Sequence, residues 1–172
     1  MPVTQIHVTP STVTQGQVLI LRGLPGSGKT SFIAQHLPEV PATNIFSADS
    51  FFLDAWGRYC FDVTKLKEAH AQCLRKYTAA LLFGGDFLVV DNTNTRGVEV
   101  APYYALGEAM GFQVTLITFP WGDDPEVYAR RNVHGVLEGT IGAMQTTLRN
   151  EKLPPWWRHM RSEEWVNERK TP

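Results

Sequence analysis

The sequence predicts an α/β fold with three layers, in which helices cover both faces of a mostly parallel central sheet. Short apolar runs alternate along the chain with segments whose apolar residues recur at helical spacing. A glycine-rich stretch separates the first apolar run from the first helical segment. Two later strand-like runs end in an aspartate, and parallel sheets collect ligand-binding groups at the carboxyl ends of their strands.

Composition places the chain among ordinary globular proteins. It has 172 residues, 43% hydrophobic and 19% charged, with a formal net charge of −1. These values predict one domain and exclude a protein that wraps nucleic acid over a strongly basic surface. The two cysteines lack metal or disulfide spacing, and no signal segment or membrane-spanning run is present. We therefore expect a soluble, cytoplasmic protein without a membrane partner; the sequence does not indicate its oligomeric state.

The domain organisation predicted from the sequence has three parts. Residues 1–16 are a polar lead-in in which residues 5–8 could form a short edge strand, and residues 17–150 form the main domain. A helical lid is expected around residues 123–150. Residues 151–172 form a tail, whose charged end at 162–172 is expected to fray.

The stretch after the first strand, residues 17–22, is the strongest motif. Residues 23–30 read GLPGSGKT and match the Walker A phosphate loop, with a helical pattern directly behind it. Glycines let main-chain N–H groups surround a phosphate, and the helix N-terminus points at the same anion. ATP or another nucleoside triphosphate with Mg²⁺ is the predicted ligand. Lys29 should reach the β- and γ-phosphates and Thr30 the Mg²⁺. The predicted nucleotide-binding residues are Gly23, Pro25, Gly26, Ser27, Gly28, Lys29, Thr30 and Ser31.

The second strand is predicted at residues 44–49 and ends in Asp49. If this strand neighbours the first, Asp49 lies beside the phosphate loop, where it could accept the proton of a hydroxyl that attacks the γ-phosphate. Ser47 could orient Asp49 or contact Mg²⁺. The alternative is that Asp49 only caps the next helix.

An aromatic stretch follows at residues 51–61. One interpretation is a stacking platform for a nucleobase, with Arg58 on a phosphate. The other is a hydrophobic core beneath a loop. Residues 62–83 then predict a long helix with one apolar stripe.

Residues 87–91, FLVVD, have the Walker B pattern, and Asp91 is expected to hold Mg²⁺ directly or through water. The polar residues that follow could hydrogen-bond a phosphate or sugar of a substrate, although an ordinary turn would use the same residue types. These candidate substrate ligands are Asn92, Thr93, Asn94 and Arg96.

The last part of the chain predicts a helix at 99–110, a strand at 112–119 and two more helices. Asp124 and Pro125 have the residue types of an N-cap and a first helical position. Arg130 and Arg131 follow, and adjacent helical arginines point to different sides, so at most one would serve a site. Trp156 and Trp157 could stack on bases or pack the tail onto the body, and packing is favoured.

Together these segments resemble the 5′-kinase domain of phage-type polynucleotide kinases, and still more the kinase domains of the NEDD4-binding-protein group. The resemblance covers residues 17 to about 150. It rests on the phosphate loop and on residues 47–49 (SAD), 84–86 (GGD), 89–94 (VVDNTN), 120–121 (PW) and 131–135 (RNVHG). It implies transfer of a phosphoryl group from ATP to a hydroxyl, most often the 5′-OH of a nucleic acid. It also implies that Lys29 and Thr30 contact nucleotide and Mg²⁺, that Asp49 is the general base, and that Arg131 is a lid arginine.

The chain departs from the phage enzymes at the acceptor side. Phe52 stands where they have an arginine for the acceptor-side phosphate, and His134 or Gly135 where they have a second lid arginine. No phosphatase or ligase segment is recognised, so a kinase module alone is expected.

Three functions stay open at this point: a polynucleotide 5′-hydroxyl kinase, a kinase of a nucleoside, hydroxymethylated DNA base or other small hydroxyl compound, and a regulatory ATPase without an acceptor. A nucleic-acid kinase should line one groove with Arg58, Arg75 and Arg96, and a small-molecule kinase should have a closed pocket. Asp49 beside the phosphate loop would argue against the ATPase, since a switch needs a residue that positions attacking water.

Overall fold

The computed structural model describes residues 16–83 and 85–170. The expected lead-in, including the strand proposed for residues 5–8, lies outside the described residues except for Gly16. None of the described helices is long and apolar enough to cross a membrane.

The central sheet has five strands, and every described pairing between them is parallel. The strands are β1 (Gln17–Arg22), β2 (Ile45–Phe46), β3 (Phe87–Asp91), β4 (Gln113–Thr118) and β5 (His159–Arg161), in the spatial order β2-β3-β1-β4-β5. Strand β1 is central, and Leu21 near its end is in register with Asp91 of β3. The parallel α/β architecture predicted from the sequence is confirmed. The strand before Asp49 does not neighbour β1, as the prediction for Asp49 supposed: β2 pairs with β3, which lies between them.

Within the described residues, six α-helices accompany the sheet. They are α1 (Lys29–His36), α2 (Leu66–Phe83), α3 (Gly97–Ala109), α4 (Pro125–Arg131), α5 (Glu138–Asn150) and α6 (Ser162–Lys170). Short 3₁₀ helices occupy Ala42–Asn44, Ala48–Phe52 and Val63–Lys65.

Alternation along β1 creates two cores, one on each face of the sheet. Val18 and Ile20 pack in the core that includes residues of α2 and α3, whereas Leu19 and Leu21 pack in the core that includes residues of α1 and α6. A third cluster joins the phosphate loop to α4 and α5: Leu24, Tyr128, Ile141 and Leu148. Leu24, which is fully buried, therefore ties the loop to these two helices.

The second strand is shorter than the sequence pattern predicts. Strand β2 ends at Phe46, and a 3₁₀ helix follows at once. Its N-cap is Ser47, whose side chain accepts a hydrogen bond from the main-chain N–H of Asp49 over 3.2 Å. Asp49 is thus not the cap that the alternative interpretation proposed; it lies in the first turn, just past the strand end.

Residues 162–170, which the charge pattern predicted would fray, form a helix instead. Strand β5 adds to the sheet edge beside β4, and helix α6 follows directly. Trp165 of α6 is 7% exposed and packs against Phe32 of α1, with ring centroids 5.1 Å apart. Trp157 stacks on Tyr104 at 4.8 Å, whereas Trp156 is exposed. The favoured packing role therefore applies to Trp157 but not to Trp156.

Candidate active site

The phosphate loop leaves the sheet at the end of β1. The N–H of Gly23 donates to the carbonyl of Thr93 over 2.9 Å, which fixes the loop to the chain that follows β3. Gly26 and Gly28 have φ values of +76° and +95°, a conformation that side-chain-bearing residues rarely adopt. A Cβ on Gly26 would collide with the main-chain carbonyl of Tyr128, so the loop lies directly against the end of α4. A Cβ on Gly28 would meet no atom within 4 Å, so this side of the loop faces open space.

The loop and the start of α1 form a cradle suited to an anion. Gly28 is the N-cap and supplies no side-chain cap, and the first turn carries no acidic residue. The free N–H groups of that turn and the positive end of the helix dipole therefore face the open side. The hydroxyl oxygen of Ser27 is buried without a hydrogen-bond partner among the described residues. These features fit a nucleotide phosphate.

The Lys29 side chain is held over the phosphate loop by main-chain carbonyls of the loop itself. Its Nζ donates to the carbonyls of Gly23 and Leu24 at 3.0 and 2.9 Å. Burial lowers the pKa of Lys29 from its ordinary value, while Asp91 and then Asp49 raise it. The ammonium group therefore lies within electrostatic reach of both predicted site carboxylates.

Thr30 and Asp91 approach each other at the end of β3. The Thr30 hydroxyl lies 3.5 Å from Oδ2 of Asp91. Burial raises the pKa of Asp91, and the nearby Lys29 opposes that rise. One hydroxyl and one carboxylate match Mg²⁺, which prefers oxygen ligands and keeps several waters and phosphate oxygens. No cluster of three or more His, Cys, Asp or Glu with metal-binding geometry occurs in the described part of the chain.

Asp49 contacts two aromatic side chains. Its Oδ1 accepts a hydrogen bond from the Tyr59 hydroxyl over 2.8 Å, and its Oδ2 lies 3.7 Å from Nε2 of His134. The two rings also touch, with centroids 4.5 Å apart. The Asp49 side chain is 49% exposed, so the carboxylate remains accessible from solvent.

Arg131 occupies the last turn of α4 and points to solvent. Its Nη1 lies 3.5 Å from Oδ2 of Asp123, and both side chains are more than half exposed. Gln145 of α5 donates to the main-chain carbonyls of Trp121 and Asp123 at 2.6 and 2.8 Å, which anchors the segment before α4. Arg131 belongs to α4, which packs against the phosphate loop at Gly26. Its side chain, however, is paired with Asp123, which lies just before that helix.

Two predicted substrate ligands are used by the scaffold. Asn92 is buried; its side chain accepts from the N–H of Ala48 over 2.8 Å and donates to the sulfur of Cys73 over 3.6 Å. Asn94 is 3% exposed, has a φ of +48°, and donates to the carbonyl of Leu21 over 2.7 Å. Both amides hold neighbouring strand ends together, so we do not retain them as direct substrate ligands.

The other predicted substrate ligands lie at the surface or act through the main chain. Arg58 pairs with Asp54 at 2.7 Å and lies over the Trp56 ring, so its guanidinium is engaged locally. Arg96 is the exposed N-cap of α3, with its N–H donating to Glu99. Thr93 serves the loop through its carbonyl, as described above. The Ser47 hydroxyl oxygen accepts a hydrogen bond from the N–H of Asp49. It therefore stabilises the 3₁₀ turn and is not directed at a metal site.

Sequence reasoning did not single out Tyr59 as a site residue, and it noted His134 only as a departure from a family pattern. Tyr59 belongs to the aromatic stretch, where nothing in the residue order separates a core ring from a site ring. Buried Arg22 was also missed: its guanidinium donates to the carbonyls of Asn94 and Thr95 at 3.1 and 3.0 Å. Charged residues this deeply buried are rare, and an apolar strand ending in arginine was the available signal.

Comparison with known proteins identifies the family and the fold. Residues 18–139 match a family model described as an AAA domain. Human NEDD4-binding protein 2 is 40% identical over an alignment of 148 residues, and the match covers 83% of this chain and 8% of that protein. The chain thus spans a small part of the length of this relative.

Solved structures with the same fold include two enzyme-related examples. The APS kinase CysC of Mycobacterium tuberculosis, in complex with AMPPNP and APS, superposes with a TM-score of 0.53 at 16% identity, covering 91% of this chain and 98% of that chain. A chain of the Pnkp1/Rnl/Hen1 RNA repair complex gives a TM-score of 0.55 at 17% identity, covering 78% of this chain and 44% of that chain. At such identities the likeness is one of fold.

Proposed function

We propose, from the premise that this chain belongs to the AAA domain family, that it transfers the γ-phosphoryl group of ATP to the 5′-hydroxyl of a nucleic acid. The chain is a P-loop kinase-like domain with a nucleotide-binding fold.

One observation carries the proposal: a solvent-accessible carboxylate lies at the same end of the sheet as the phosphate loop. Ala48, the residue before Asp49, donates to Asn92 just after β3 over 2.8 Å. Thr93, the residue after Asn92, accepts from Gly23 of the loop over 2.9 Å. The Asp49 side chain is 49% exposed. A carboxylate beside the γ-phosphate position can accept the proton of an attacking hydroxyl. A regulatory ATPase has no need of an acceptor base there, so this arrangement favours transfer over switching.

The proposed mechanism follows from the cradle and its charges. Bound ATP and Mg²⁺ supply the transferable phosphoryl group and neutralise part of its negative charge. The loop N–H groups and Lys29 bind the phosphate oxygens, and Thr30 with Asp91 would hold the metal or its waters. Asp49 takes the proton of the acceptor hydroxyl while the oxygen of that hydroxyl forms a bond to the γ-phosphorus. The bond from that phosphorus to the β–γ bridging oxygen breaks and ADP leaves. Arg131 would leave Asp123 to contact the phosphates.

The accessibility of the site supports a long acceptor such as a nucleic acid strand. Gly28 and Thr30 are exposed and Asp49 is half-exposed, so a strand end could approach without the site enclosing it. The likeness of fold to a chain from an RNA repair complex supports the same acceptor class.

A small hydroxyl compound is the second candidate acceptor. It is favoured because neither Phe52 nor Arg58 offers a free guanidinium for an acceptor phosphate. Phe52 is 4% exposed inside the core, so it cannot replace an arginine at an acceptor phosphate. Arg58 is already paired with Asp54. An acceptor without its own phosphate would not need either group, and the fold of the APS kinase accommodates a small acceptor.

An acceptor panel tests the proposal. The protein is incubated with Mg²⁺ and γ-labelled ATP and with 5′-OH DNA, 5′-OH RNA, 5′-phosphorylated oligonucleotides, nucleosides or buffer alone. Label on the 5′ end of a 5′-OH strand, absent from the pre-phosphorylated control, supports the proposal. Label on nucleosides only moves the assignment to a small-molecule kinase. Released phosphate that no acceptor increases identifies an ATPase.

A further inference from the structure

We infer that Tyr59 and His134 are positioning residues that together orient the carboxylate of Asp49. They reach its two oxygens from two separate segments, the turn at 53–59 and the segment after α4. The inference rests on the proposed function, in which Asp49 accepts the acceptor's proton.

Tyr59 is presented by a tight hairpin. Leu53 and Tyr59 form an isolated antiparallel bridge, and Gly57 turns the chain with a φ of +78°. The carboxylate of Asp54 accepts the N–H groups of Trp56 and Arg58, both at 2.9 Å, and so closes the turn. This local network fixes where the Tyr59 side chain emerges.

The Tyr59 ring is also held from the core side. It packs edge-on against Phe52, with centroids 6.0 Å apart, and Phe52 is itself buried. Burial and the neighbouring Asp49 raise the pKa of Tyr59 above its ordinary value, so the phenol stays protonated. A fixed, protonated phenol donates its 2.8 Å hydrogen bond to Oδ1 of Asp49. Charge-assisted bonds of this kind are stronger than neutral ones.

His134 comes from a different part of the chain, the segment that follows α4, and its ring contacts that of Tyr59. The side-chain oxygen of Asn132 accepts the N–H of His134 over 2.9 Å, and its amide donates to the carbonyl of Val136 over 3.1 Å. Asn132 therefore shapes the turn that carries His134 over the site. Nε2 of His134 lies 3.7 Å from Oδ2 of Asp49, and this distance is longer than that of a hydrogen bond.

These contacts divide the two carboxylate oxygens between two tasks. Oδ1 is taken by Tyr59, so Oδ2 is the oxygen left to receive a proton. His134 limits the rotation of the carboxylate on that side without occupying Oδ2. Asp49 is fully oriented only when the turn at 53–59 and the segment after α4 are both in place.

The test compares Tyr59→Phe with Tyr77→Phe, which removes a tyrosine hydroxyl elsewhere in the protein. Tyr59→Phe removes one hydrogen bond and keeps the ring, so kcat for acceptor phosphorylation should fall about 10- to 100-fold while the KM for ATP stays nearly constant. Tyr77→Phe is the control, because the Tyr77 hydroxyl is bonded to the carbonyl of Tyr103 within the core. It should change stability but not this kcat.

The same assay with His134→Ala, His134→Gln and the double variant tests the shared target. Gln should restore part of the kcat that Ala loses, whereas His70→Ala on the exposed side of α2 should have no effect. Because both residues act on one carboxylate, the loss in Tyr59→Phe/His134→Ala should be smaller than the product of the single losses.

Asp49→Asn separates the two possible failures. If Asp49→Asn abolishes transfer while Tyr59→Phe keeps the parent kcat, the positioning role is wrong and the proposed function stands. Fully multiplicative losses in the double variant also overturn the shared positioning role. If Asp49→Asn transfers phosphate at the parent rate, both the proposed function and the inference are wrong.

Discussion

The side-chain oxygen of Asn92 accepts a hydrogen bond from the main-chain N–H of Ala48 over 2.8 Å. This contact joins the residue after β3 to the residue before Asp49, across the pair β2–β3. Asn92 is 8% exposed and Ala48 is 5% exposed, so water does not readily replace the bond. The position of the proposed base therefore depends on an amide that holds the residue before it.

Asn92→Ala should lower the free energy of unfolding by about 1–3 kcal/mol, because it leaves the buried N–H of Ala48 without an acceptor. Urea denaturation measures this. Thr93→Ala is the matched control, since it keeps the main-chain carbonyl that binds Gly23, and it should change the free energy of unfolding by about 0.5 kcal/mol or less. Equal losses in the two variants would show that the Asn92–Ala48 bond has no special weight.

Gly26→Ala should destabilise the protein more than Gly28→Ala. Both glycines have positive φ, so each substitution adds backbone strain of about 1–2 kcal/mol. Only at Gly26 does the new Cβ also collide with the carbonyl of Tyr128, which forces the loop and α4 apart. Thermal and urea unfolding of the two variants, measured without nucleotide, provide the comparison. A larger loss of unfolding free energy in Gly28→Ala would contradict the close packing of the loop against α4.

Trp165→Ala tests whether the last helix is part of the core. Its ring lies against Phe32 and beneath the guanidinium of Arg169, whose centre is 4.5 Å from the ring centroid. Removing a buried tryptophan costs about 3–5 kcal/mol of unfolding free energy. Trp156→Ala, at a site 75% exposed, should cost about 0.5 kcal/mol or less. Similar small effects in both variants would mean that α6 does not stabilise the domain.

His159 makes stability depend on pH. Burial, and then the charge of Arg22, lower its pKa below the ordinary value of 6.5, so the folded state favours the neutral ring. The unfolded chain then binds more protons in the window below pH 6.5, and stability falls as pH decreases from 6.5 towards the folded-state pKa. His159→Gln should weaken this decline in urea titrations at a series of pH values. An identical decline in the variant would assign the effect to other groups.

Much of this architecture could be predicted because the responsible signals are local. The phosphate loop is specified by Gly26 and Gly28, which supply backbone conformations that other residues resist, and by the apolar run of β1 before them. The strand ending in Asp91 follows from a continuous apolar pattern typical of buried parallel strands. Asp124 and Pro125 likewise predicted the start of α4, and the Asp124 side chain does accept the N–H of Glu126.

The parts that were missed depend on contacts between distant segments. Strand β5 has three residues, His159–Arg161, without an apolar run, and it exists because β4 offers an unpaired edge. Asn92 and Asn94 looked like substrate ligands because amides serve substrates and scaffolds equally well; only the positions of Ala48 and Leu21 decide between them. The contact of Tyr59 with Asp49 likewise arises from a hairpin whose geometry the composition does not specify.

The most direct test of the account separates nucleotide binding from phosphoryl transfer in Asp49→Asn. ATP affinity with Mg²⁺ is measured by calorimetry, and single-turnover transfer to the acceptor identified in the panel is measured by label incorporation, with Lys29→Met as the binding-defective reference. We predict that Asp49→Asn keeps the ATP affinity of the parent protein and loses transfer by about 10²- to 10⁴-fold, because only proton acceptance is removed. Transfer at the parent rate by Asp49→Asn would contradict the assignment of Asp49 as the acceptor-side base.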